Sequence, residues 1–188
     1  MKKIILTIAF ILFLAPIAMA KSVAPEQQSQ TVAIKEVKAV LNEYVKYENA
    51  QDLDGIKNLH SDDYITIDAM PKKVYLDIIK KTWTKYSDVK HQMNIKNVQI
   101  NGNYAIAEVE EILTGITTEQ IDDKSVTGDL KSISNVVYYL EHTRGSWKFA
   151  SDYVVDEQTV LAFEKAKDLD IKFYAPNRIL ANKDYVVT

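Results

Sequence analysis

Apolar residues recur at helical spacing through the first half of the chain and at strand spacing through the second, with the change near residue 89. Ile34, Val37, Leu41, Tyr44 and Glu48 fall on one side of a 3.6-residue period, with Val40 and Tyr47 beside them. That spacing predicts a helix starting at an N-cap Thr31. A short second helix, "LDGIKNLH", sets Leu53, Ile56 and Leu59 on one side, with Asp52 as its cap. Next, "DYITID" (63–68) alternates Tyr64, Thr66 and Asp68 against Ile65 and Ile67, the period of a strand. Pro71 stands at the start of a third helix running to Tyr86 and carrying Val74, Ile78, Ile79, Thr82 and Trp83.

Beyond this point the chain reads as strands. "VKHQMNIKNVQI" and "YAIAEVEEILTGI" flank Asn101-Gly102, and "LKSISNVVYYLEHT" and "SWKFASDYVV" flank Arg144-Gly145. Turn dipeptides between apolar runs mark hairpins, so these segments predict a four-strand antiparallel meander. The polar "TTEQIDDKSVTGD" between them reads as a loop. Helices followed by antiparallel strands define an α+β domain, placed at residues 31–157. Residues 21–30 read as a flexible leader. Residues 158–188 read as the body of a helix, "DEQTVLAFEKAKDLD", followed by two short strands. Those strands either extend the main sheet or open a further β-domain.

Composition adds a compartment and removes several chemistries. "MKKIILTIAFILFLAPIAMA" has two lysines, an apolar core, a helix-breaking Pro16 and the small-x-small triplet Ala18-Met19-Ala20, the pattern of a secretory signal peptide over 1–20. Its apolar run is short for a bilayer span, so the expectation is an exported protein, periplasmic or extracellular, with no membrane attachment after cleavage. Removing Lys2 and Lys3 takes two from the 23 basic residues, against 26 acidic ones, and moves the net charge from −3 to −5. No basic block is present for a nucleic-acid partner. The chain has no cysteine, which excludes disulfides, thiol catalysis and thiolate metal sites.

The helix followed by "A-x-D-L-D-G-I-x-x-L-x-x-D-D" and a strand resembles the nuclear transport factor 2-like superfamily, in its branch of SnoaL-like polyketide cyclases and ketosteroid isomerase. The matching residues are Ala50, Asp52, Leu53, Asp54, Gly55, Ile56, Leu59, Asp62 and Asp63. The resemblance implies a cone, with three N-terminal helices packed on a curved antiparallel sheet, and dimerisation through the outer sheet face. Locally the motif has structural work to do: Asp52 caps a helix, Gly55 admits close helix packing, and Asp62 and Asp63 suit a turn. His60 reads as a solvent-facing or packing residue of that turn. Laid on the ketosteroid isomerase pattern, Tyr44 falls on the oxyanion donor and Asp68 on the general base. That enzyme is a worked case of a carboxylate base beside a phenol and a protonated acid. The second acid has no counterpart here: the position falls near Tyr138, with Asn135 and Tyr139 adjacent.

Other constellations are weaker. Glu108 and Glu110 share a strand face with Ile106 and Ile112, while Glu111 points the other way. His91 and His142 lie on different strands without metal-ligand spacing, so neither a metal nor a cofactor is expected. Tyr138, Tyr139, Trp83 and Glu108 are the candidate pocket residues. The expectation is a domain that binds a small apolar ligand or a partner protein without catalysis, possible as a homodimer. The alternative is an isomerase or lyase using Asp68 and Tyr44.

Overall fold

The computed structural model describes residues 25–163 apart from residue 122. The expected signal peptide, and the tail from 164 onward where two short strands were expected, lie outside the described residues. The elements run α1 (Pro25–Ala50), α2 (Leu53–Leu59), α3 (Lys72–Lys85), β1 (Ser87–Asn101), β2 (Tyr104–Ile121), β3 (Lys124–Thr143) and β4 (Ser146–Phe163). Three helices pack against one antiparallel sheet of order β1-β2-β3-β4, an α+β fold. No helix among the described residues is long and apolar enough to cross a membrane.

α1 buries Val37, Leu41, Tyr44 and Glu48, the stripe its period dictates. It begins at Pro25 rather than Thr31, so the last residues of the expected leader are helical. At α2 the motif behaves as its chemistry requires. The Asp52 carboxylate accepts from Gly55 N–H at 2.8 Å, and Ile56 and Leu59 are buried. Of the apolar residues expected on α3, Ile79 and Trp83 face the core and Val74 and Ile78 do not. Leu76 is also buried, with Tyr75 packed against the core. Apolar residues occur on two sides of this helix, so periodicity alone could not choose between them.

Residues 63–68 do not form a strand of the sheet. They make only an isolated bridge, Ile65 to Pro71, while Ser61, Ile65 and Ile67 donate backbone N–H groups to Phe149, Ala150 and Asp152 at 2.8, 3.3 and 3.0 Å. The chain must reverse before α3, and it does so through Ala69, whose φ is 63°. A reversal within a few residues leaves no length for a ladder.

All four strands are long. The acidic segment 117–129 is not a loop, because β2 and β3 pair through it, from Tyr104↔Glu141 to Ile121↔Lys124. Likewise 158–163 continues β4 instead of starting a helix, with Phe163 paired to Gly128. Two register shifts interrupt the β3–β4 pairing, one between Tyr139 and Leu140 and one between Asn135 and Val136. Such bulges bend a strand and change which face its residues take. The core lies between the helices and the inward sheet face. Leu41, Ile56, Val109, Leu140 and Phe149 are essentially inaccessible at its centre.

Candidate functional site

Polar side chains interrupt this core on every element. Tyr44 and Glu48 lie one turn apart on α1, facing inward. The Tyr44 hydroxyl donates to Glu48 Oε1 at 3.1 Å, and Tyr75 of α3 sits 2.7 Å from that hydroxyl. With its proton committed to Glu48, Tyr44 accepts from Tyr75. Trp83 Nε1 donates to Glu48 Oε2 at 3.2 Å. Across the interior, Tyr138 of β3 donates to Glu111 Oε1 of β2 at 2.6 Å, and Glu111 Oε2 lies 3.6 Å from His91 Nε2 of β1. The first is a short charge-assisted bond; the second is an ion pair longer than a good hydrogen bond. Deeper, Tyr64 donates to Asp152 at 2.7 Å.

Some of these groups line a cleft of about 170 Å³ bounded by α1, α3 and the sheet, while Tyr64, Tyr75, Tyr138 and Asp152 lie behind it in the interior. Tyr44, Glu48, Trp83, His91, Glu111 and Glu157 supply its chemistry. Burial raises the Glu48 carboxyl above its usual range, with opposition from His91 and from the Tyr44 and Trp83 bonds. Burial also disfavours the His91 imidazolium, but the Glu111 carboxylate, with Glu48 behind it, outweighs that and raises its pKa above the ordinary value. Tyr44, Tyr75 and Tyr138 are pushed well above 10 by burial and stay neutral donors. The Asp152 carboxyl is raised by burial despite its Tyr64 bond. A protonatable imidazole and a desolvated carboxyl thus stand on opposite walls of one cleft, which is the equipment of proton transfer.

His60 lies outside the cleft, in an aromatic nest. Its ring is 4.5 Å from that of Tyr64, 5.0 Å from that of Phe149 and 5.2 Å from that of Tyr75. It is 3% exposed, so of the two expected roles it has the packing one and is not solvent-facing. Nδ1 bonds the Ile56 carbonyl at 2.8 Å and so carries the hydrogen, while Nε2 is buried without a partner. Burial lowers the His60 pKa to about 4.

No family model matches the sequence, and no curated protein matches it. The likenesses are structural. A Kribbella flavida protein superposes with TM-score 0.53 at 13% identity, covering 73% of this chain and 96% of its own. A type 2 hexachlorocyclohexane dehydrochlorinase gives TM-score 0.52 at 12% identity, covering 79% and 97%. A Nostoc punctiforme protein described as having a cystatin-like fold gives 0.50 at 11% identity, covering 65% and 90%. These likenesses show a shared fold, described for one of the proteins as cystatin-like.

Within this fold the sequence-derived candidates separate. Tyr44, Tyr138 and Trp83 belong to the interior set. Asp68 does not: it is exposed in the turn before α3, while Tyr44 is buried, so the expected base and donor are not brought together. Tyr139 and Glu108 lie on the outer sheet face, exposed, with Tyr139 beside Ile106 in the ladder. Strict alternation puts Glu111 inward and Glu108 outward, so the carboxylate of opposite parity is the interior one. His91 and His142 are also separate. His142 packs its ring 5.1 Å from that of Trp147, far along the sheet from His91. Among the described residues no group of three or more His, Asp or Glu side chains could hold a metal ion.

Sequence reasoning did not single out Glu48 and Glu111 of the cleft, nor Tyr64, Tyr75 and Asp152 behind it, and it weighed His91 only as a metal ligand. Glu111 and His91 were legible from parity. Asp152 was not. Counting alternately from buried Phe149 sends it outward, and the bulge at Ala150, where Tyr139↔Ser151 gives way to Leu140↔Phe149, turns it back in.

Proposed function

We propose that this chain is an exported nuclear transport factor 2-like domain whose interior cleft binds a small, largely apolar molecule with one polar group and moves a proton on it. His91 and Glu48 are the proton carriers, and Glu111 holds the charge of His91. The observation that carries this reading is the placement of His91 and Glu48 on opposite walls of a cleft with both pKa values displaced by burial and by each other. The lining is more apolar than polar, with Ile78, Ile79, Leu113 and Trp83 around a few fixed polar groups, which suits a small, largely apolar ligand bearing one carbonyl, hydroxyl or amine. Fold analogy adds a modest argument, since one structural neighbour is named as a dehydrochlorinase. Export rests on residues 1–20, and the curvature that makes the interior a cone rests on the bulges.

A second reading is binding without turnover. In its favour, Glu48, Glu111 and Tyr44 already have protein partners and the cleft is small. One experiment separates the two. Small ketones and amines are added to the full chain in D₂O, while NMR follows deuterium entry at the carbon next to each carbonyl and shifts at the cleft residues. Proton transfer gives exchange above buffer that drops about a hundredfold in His91→Gln. Shifts at the cleft without exchange leave a binding module. Neither exchange nor shifts in any compound would remove both readings.

A further inference from the structure

His91 lies on β1, an outer strand of the sheet, where one side of the backbone has no neighbouring strand among the described residues. Its main chain is nevertheless paired. The Asn49 side chain, at the C-terminal end of α1, accepts from His91 N–H through Oδ1 at 2.9 Å and donates from Nδ2 to the His91 carbonyl at 2.8 Å. Nδ2 also donates to the Val45 carbonyl, one turn back on α1, at 3.0 Å. An asparagine amide has two hydrogens and one carbonyl oxygen, so both hydrogens and the acceptor are in use. The bond to Val45 fixes the side chain to its own helix, and the other two fix the strand to the side chain.

We propose that Asn49 is the positioning residue of this cleft. Its amide pairs with the His91 main chain as a single residue of an added strand would, and so sets the spacing between α1 and the imidazole. The inference rests on reading the cleft as a proton-transfer site. Glu48 is the residue immediately before Asn49, so the clamp ties the carrier on the helix to the carrier on the strand at adjacent positions. The groups facing His91 are Glu111 from β2 and Glu48 and Tyr44 from α1. The 3.6 Å separation from Glu111 leaves little margin. Without the clamp β1 can move away from α1, weakening the hold of Glu48 on the imidazolium, while Glu111 on the neighbouring strand stays beside it. No step of the chemistry passes through Asn49.

Two measurements on the full chain test this. In the unaltered protein the clamp makes the His91 amide exchange with D₂O at least about tenfold more slowly than a solvent-exposed amide of the same strand. In Asn49→Ala the His91 imidazole, followed by NMR, titrates about half a pH unit lower than in the unaltered protein. With 3 histidines in the chain the signal is readily assigned. Asn135→Ala is the control. It removes a 2.9 Å bond from Asn135 Nδ2 to Asp156 on the outer sheet face and leaves the His91 titration in place. A fast-exchanging His91 amide, or an Asn49→Ala titration equal to that of the control, would overturn the proposal. The exchange measurement decides the matter even if Asn49→Ala fails to fold. Loss of ligand exchange in His91→Gln with an unmoved titration in Asn49→Ala ends the clamp and leaves the proton-transfer reading standing. A lowered titration with unaltered exchange in His91→Gln ends that reading and leaves the clamp.

Discussion

At Gly55 an added Cβ atom would lie 2.5 Å from Tyr47 Cδ1 and 2.8 Å from Asp52 Oδ2. Neither neighbour is free to yield. The Tyr47 ring packs against the core from α1, and the Asp52 carboxylate is the cap of α2. A single methyl group therefore pushes the first two helices apart and disturbs the cap together. Gly55→Ala destabilises the fold by about 1–3 kcal/mol, the usual cost of overpacking, read from the urea midpoint. An unchanged midpoint would show that the two helices separate without cost. The glycine of the motif is thus explained by space: its neighbours leave no volume for a side chain.

The hairpins show which elements were legible and why. Arg144 and Gly145 both have positive φ, 51° and 80°, the two-residue turn whose twist matches that of paired strands. Arginine is poorly suited to that region, and asparagine tolerates it. Arg144→Asn accordingly stabilises the protein by about 0.5 kcal/mol in the same denaturation experiment, and no gain would mean that the turn is unstrained. At the first hairpin the turn is Gly102-Asn103, one residue later than the dipeptide suggested, since Asn101 pairs with Tyr104. These local signals gave the meander and α2 correctly, because turn geometry and capping are decided within a few residues. Strand lengths were not local. The polar 117–129 segment looks like a loop, yet it forms strand because each half finds the other across residues 122 and 123. Part of the polar interior was hidden for a related reason. Tyr44, Tyr138 and Trp83 were visible from periodicity, but the inward turn of Asp152 depends on a bulge that no alternation pattern contains, and Asp68 was placed on a strand that does not form.

For the molecule as a whole, acid tolerance is set by His60. Its pKa of about 4 in the fold lies below the roughly 6.5 of an unfolded histidine. Between those values the unfolded chain binds the extra proton, so this contribution is complete above pH 6.5 and is lost as the pH falls towards 4. Its size is on the order of 3 kcal/mol. Glu48, Asp152 and His91, all raised in the fold, act in the opposite sense, supporting the fold at low pH and losing that contribution as each deprotonates. Thermal melts at pH 7 and pH 4.5 isolate the histidine. His60→Gln is less stable than the parent at pH 7 and loses much less on acidification, whereas an equal loss in both proteins would assign acid sensitivity elsewhere. The irregular 61–67 segment has a consequence of a different kind. An open β4 margin would be a template on which a strand from another molecule could add, the first step of aggregation. Over Phe149–Asp152 that margin is already occupied by the N–H groups of Ser61, Ile65 and Ile67. A regular fifth strand would have filled the same place but presented a new row of unpaired groups on its far side. The broken segment works as a stopper: it pairs enough backbone to close the margin, and it is too irregular to seed another.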